Sequence, residues 1–127
     1  MESDEYISKN LGIFKKLIKE NKLLSILDDD PDFEEKQAVR STLNLMETLS
    51  VSVLQNVFDE NVCKATVGDY VVKRWDDANE LIDKIRELEG TDEIYFSFQS
   101  IAERWRGNLN LEQERYFPRI WQEIKRL

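Results

Sequence analysis

Two sets of side chains are spaced so that a helix would gather them. Asp76, Glu80, Asp83 and Glu87 recur at intervals of four, three and four, which on a helix lines four carboxylates along one face. Arg40, Asn44 and Glu47 recur at four and three, and their stripe continues as Val51, Leu54 and Phe58. This polar trio therefore borders apolar surface. Paired carboxylates can hold metal ions or move protons, and a carboxylate beside an arginine can orient a ligand. The chain contains no histidine, which removes Ser–His and Cys–His dyads, His-bearing zinc sites and helical Glu-x-x-His di-metal centres. It also removes the Arg-x4-6-His motif of helical ribonuclease-like domains.

A carboxylate at the edge of a core needs a partner, because burying it alone costs several kcal/mol. The expected donors for Glu47 are Arg40, through Asn44, and Arg86 or Arg74. This predicts a structural polar network of Arg40, Asn44, Glu47 and Arg86 that fixes the register of the second and fourth predicted helices. For the carboxylate strip two readings stand. It is a solvated face softened by Lys73 and Lys84, or it imitates the phosphate charge of nucleic acid and docks on a basic partner. The remaining candidates are weaker. Cys63 lies among Val62, Ala65 and Val67 and reads as a small buried hydrophobe. The run DDDPDFEE lacks the central glycine and closing glutamate of a calcium loop. The four glycines, at 12, 68, 90 and 107, stand apart and form no phosphate loop. No catalytic, metal-binding or cofactor-binding residue is assigned, and the expectation is a protein without enzymatic activity or cofactor.

The elements that position these residues read as helices throughout. Residues 4–27 carry Ile7, Leu11, Phe14 and Ile18 at helical spacing, with Ser3 as a candidate cap. Asp30 is the expected N-cap of a long helix over about 31–58, opened by Pro31 and by Asp32, Glu34 and Glu35. Its second half is apolar nearly all round and is expected to be surrounded by other helices. Asp59 is placed to cap a short helix that Gly68 ends. Asp69 then caps a fourth helix closed by Gly90. Thr91 and Asp92 open a fifth, which carries Ile94, Tyr95, Phe98, Ile101 and Trp105 and stops at Gly107 and Asn108. A last piece begins at Asn110 and is broken by Pro118. Its Tyr116, Phe117 and Trp121 are expected to dock the tail on the body. The predicted fold is all-α: one domain of five or six helices, the second packed centrally against the fourth and fifth. It divides into residues 1–30, a 31–106 core and a 107–127 docking segment.

Length and composition agree. A chain of 127 residues with 41% hydrophobic and 35% charged residues is about one domain with one core. The formal charge of −8 repels phosphate backbones, so direct nucleic-acid binding is not expected. One cysteine makes no internal disulfide, and the N-terminus shows no signal-peptide pattern. The most apolar stretch, LGIFKKLIKENKLLSIL, is interrupted by lysines and falls short of the roughly 18–20 apolar residues a bilayer requires. A cytoplasmic protein with a protein partner is expected, homo-oligomerisation included and membrane contact excluded.

The string RSTLNLMETLSVSVLQNVFDENVCKATVGDYVVKRWDDANELIDKIRE, followed by IYFSFQSIAERW, resembles the domain of unknown function 4760 family of small helical bacterial and phage domains. The matching positions are Arg40, Leu43, Asn44, Glu47, Asp59, Trp75, Arg86, Phe98 and Trp105, within residues 33–106. Met46 stands where an aromatic residue is usual, and the N-terminal membrane helix of many relatives is missing. The resemblance implies a helical fold and a microbial or viral origin, and no activity. The functional expectation is a non-catalytic interaction or scaffolding domain of phage-accessory or host-defence type. The alternative is an acidic inhibitor that occupies a basic nucleic-acid-binding site.

Overall fold

The computed structural model describes residues 4–112, with side chains through residue 107. Four α-helices and one short 3-10 helix make up the described residues, and no strand occurs among them. They are α1 (Asp4–Lys19), a 3-10 helix (Leu23–Leu27), α2 (Phe33–Leu54), α3 (Glu60–Glu89) and α4 (Phe96–Glu112). The fold is an all-α bundle, with four helices in the described residues rather than five or six.

The helix ends follow from local chemistry. Asp32 and Asp59 cap α2 and α3, each side chain accepting a backbone N–H three residues on, from Glu35 at 2.9 Å and Val62 at 3.0 Å. The cap of α2 is thus Asp32, not Asp30. Pro31 lies outside the helix. Three helices close in the left-handed conformation. Asn21 (φ 57°) and Asn56 (φ 61°) lie two residues past the ends of α1 and α2, and Gly90 (φ 74°) one residue past the end of α3. In each case the next residue donates back five positions: Lys22 to Leu17, Val57 to Ser52, Thr91 to Arg86. These bonds satisfy carbonyls that a helix end otherwise leaves open.

Gly68 does not end a helix. It is buried inside α3, which runs unbroken for 30 residues, and Gly90 is the single glycine with positive φ among the described residues. A glycine stops a helix only where the chain takes the left-handed turn, and the apolar face on both sides of Gly68 keeps it helical. Asp69 is accordingly an exposed mid-helix residue. Gly107 is likewise carried through by α4. At its other end α4 begins at Phe96, later than Thr91 and Asp92, because residues 91–95 form a turn in which Glu93 N–H donates to Thr91 Oγ1.

One core joins the helices. Phe14 and Leu17 of α1, Val39, Leu43 and Met46 of α2, Trp75, Leu81 and Ile82 of α3, and Phe98, Ile101 and Trp105 of α4 are all buried. The α1 helix is therefore part of the body. Trp75 and Phe98 meet edge to face, centroids 5.3 Å apart at 84°. The α2 helix packs chiefly against α1 and α4, and α3 chiefly against α4. Direct contact between α2 and α3 is sparse, which corrects the expected packing. The end of α2 is also not enclosed: the helix stops at Leu54, and Val51, Leu54, Val57 and Phe58 are exposed. Ser3, Pro118, Tyr116, Phe117 and Trp121 lie outside the described residues.

Candidate functional site: the α3–α4 turn and the acidic face of α3

The polar stripe of α2 faces the start of α4. Glu47 Oε1 accepts the backbone N–H of Phe98 at 2.8 Å, and Asn44 Oδ1 accepts the Tyr95 hydroxyl at 2.9 Å. Phe98 lies in the first turn of α4, where N–H groups have no intrahelical acceptor and the helix dipole favours negative charge. Glu47 thus supplies, from another helix, the acceptor that a local cap would provide. Arg40 is exposed, and its charge acts on Tyr95. Burial raises the Tyr95 phenol above its ordinary 10.0, Arg40 opposes that rise, and Glu47 adds to it.

Arg86 reaches the same turn from α3. Its Nε donates to the carbonyl of Ile94 at 2.9 Å, and its Nη1 lies 4.0 Å from Asp83. No ion pair joins Glu47 to Arg86, Arg74 or Arg40 among the described residues. The expected donors are replaced by main chain, so the residues do not fix α2 against α3 directly. Asn44, Glu47 and Arg86 converge on residues 94–98 from two helices and hold the turn between them. That turn carries a strained residue: Tyr95 has φ 57°, outside the range an aromatic side chain favours. Asn44, Glu47 and Arg86 Nε grip the turn through backbone and phenol hydrogen bonds in the geometry of a clamp, while Arg86 Nη2 is buried without a partner.

Arg74 pairs within its own helix, with Asp77 at 3.2 Å, and stacks on Tyr70 at 4.8 Å from the ring centre.

The four carboxylates of the strip are exposed on α3 as a row. Two surface clefts divide them. Asp76 and Glu80 line one of about 690 Å³ with Asp28, Asp77 and Lys22. Asp83 and Glu87 line another of about 450 Å³ with Arg86, Thr91 and Asp92. Arg106 of α4 pairs with Asp76 and offsets the charge at that end. No group of three or more acidic or cysteine side chains gathers closely enough to hold a metal ion among the described residues.

A second polar tie escaped the sequence reading. Glu60, in the first turn of α3, accepts from Arg104 Nε at 2.9 Å and from Trp105 Nε1 at 2.9 Å. Trp105 is fully buried, and a buried indole N–H requires an acceptor. That requirement was the available signal. Its partner, 45 positions away, was not.

A family model for a domain of unknown function, DUF4760, matches residues 1–105. The chain belongs to the DUF4760 family. The match takes in α1 as well as all but the last residue of the 33–106 stretch that carried the resemblance. No curated protein matches the chain, and no solved structure does. In this DUF4760 domain the residues that carried the resemblance, exposed Arg40 apart, have structural roles. Leu43 is core, Asn44 and Glu47 hold the α4 start, and Asp59 caps α3. Trp75 and Phe98 form the aromatic pair, Arg86 holds Ile94, and Trp105 meets Glu60. Met46 is buried in the core. No helix among the described residues is long and apolar enough to cross a membrane.

Proposed function

We propose that this DUF4760 domain is a non-catalytic protein-interaction or scaffolding domain of bacterial or phage origin, in a phage-accessory or host-defence setting. The observation that carries the reading is an apolar corner where α2 ends and α3 begins. Val57 is 69% exposed, Phe58 45% and Val62 63%, beside exposed Val51 and Leu54. Clustered apolar side chains on a surface are what a protein partner covers. The partner suited to it is the apolar face of another protein. The test compares capture by the parent and by a Val57→Lys, Val62→Lys variant, with sedimentation of both to detect self-association. The reading requires a partner, or a dimer, that survives moderate salt and is lost in the variant. A partner held equally by both proteins defeats it.

A second reading, an acidic inhibitor of a basic nucleic-acid-binding protein, draws support from the exposed row of Asp76, Glu80, Asp83 and Glu87. Attraction between opposite charges is screened within about 10 Å at 0.1 M salt. A partner released by moderate salt, and lost in a Glu80→Gln, Asp83→Asn, Glu87→Gln variant, would favour this reading over the first.

A further inference from the structure

A polar misfit lies away from the α3–α4 turn, on α1. Asn10 is 7% exposed, and its Nδ2 is buried without a hydrogen-bond partner. It lines a niche with Ile7 and Leu11 of α1, Ser41, Thr42 and Leu45 of α2, and Tyr70 of α3. The niche gives the centre of a water-sized sphere about 10 Å³. A buried amide N–H with no acceptor bears the full cost of its lost hydration, which native interiors avoid. The space is too small for an organic ligand and close to the least that admits one water, roughly 10–15 Å³.

We propose that this niche is a hydration site for one structural water, which accepts from Asn10 Nδ2 and donates to a lining hydroxyl of Ser41, Thr42 or Tyr70. Water fits where other small occupants do not. An apolar gas would leave the amide unpaired, and an ion would meet walls that are mostly apolar. The bridge joins α1 to the helices beneath it through a group that direct packing leaves unsatisfied.

The test is water-to-protein NOE and ROE spectroscopy on the 15N-labelled full chain. The expected result is a cross-peak from water to the Asn10 side-chain amide, NOE and ROE of opposite sign, as for a water that tumbles with the protein. Asn10→Leu fills the niche and removes the donor, and it should abolish water contacts to the Thr42 backbone amide while helical circular dichroism is retained. Asn10→Ser keeps a polar group in an enlarged niche and should preserve them. A resolved Asn10 amide with no water cross-peak would overturn the proposal. So would contacts that persist in Asn10→Leu.

Discussion

Oε1 of Glu47 stands 2.8 Å from the backbone nitrogen of Phe98, 51 positions along the chain. A helix start is commonly capped by the residue just before it. Here α4 follows Tyr95, whose backbone is left-handed and whose hydroxyl is committed to Asn44, and a carboxylate from α2 takes over the task. Glu47→Ala should therefore destabilise the fold by about 1–3 kcal/mol, the range for leaving a buried donor unpaired. That is less than breaking a buried ion pair would cost, because Glu47 neutralises no guanidinium. Glu47→Gln keeps an acceptor and should cost about half as much. Urea unfolding midpoints of the three proteins check this, and a parent-like Glu47→Ala would refute it.

Alkaline pH should weaken the fold through two phenols. Burial raises Tyr95, and burial raises Tyr70 against the opposing hydrogen bond and charge of Arg74. The folded state therefore holds these protons more tightly than the unfolded chain does. Their contribution is intact below about pH 10 and is lost as pH rises through the folded values. Tyr95→Phe and Tyr70→Phe should each flatten the decline in urea midpoint above about pH 10, relative to the parent. An unchanged slope in both would count against the burial of these hydroxyls.

Glu60→Ala removes the acceptor of the Trp105 indole and one partner of Arg104. A loss of about 1–3 kcal/mol is expected, dominated by the buried N–H. Trp105→Phe in the Glu60→Ala background should cost less than it does alone, since the N–H it deletes is by then already unpaired. A double-mutant cycle in urea measures that coupling, and strict additivity would remove Glu60 as the indole's partner.

Gly12 lies within α1, and a Cβ built on it meets nothing within 4 Å. Alanine there restricts the unfolded chain and improves helix propensity, so Gly12→Ala should stabilise by about 0.4–1 kcal/mol. A rise in melting temperature of about 2–5 °C is the expected readout.

Legibility in the sequence depended on the range of the physics. Asp59 and Gly90 were readable because a cap is decided within a few residues. Asn21 and Asn56 do the same work as Gly90, and an asparagine just past an apolar-periodic run was the missed signal. Gly68 misled because a glycine only permits a left-handed turn, and burial of α3 on both sides of it decided otherwise. The apolar end of α2 suggested enclosure, yet periodicity reports hydrophobicity and not what covers it. The need of Glu47 for a partner could be seen from its place beside the core. The identity of that partner could not, because a main-chain donor carries no residue type to search for.

The continuity of α3 through Gly68 has a mechanical consequence. Thirty helical residues make a stiff rod of about 45 Å, against about 26 Å for α4 beside it. Along that rod the Arg86 tie to Ile94 near one end and the Glu60 tie to Arg104 and Trp105 near the other stand roughly 39 Å apart on the helix rise. The rod is therefore pinned at both ends, and a load on exposed Val62 falls beside the Glu60 pin rather than on a free tip.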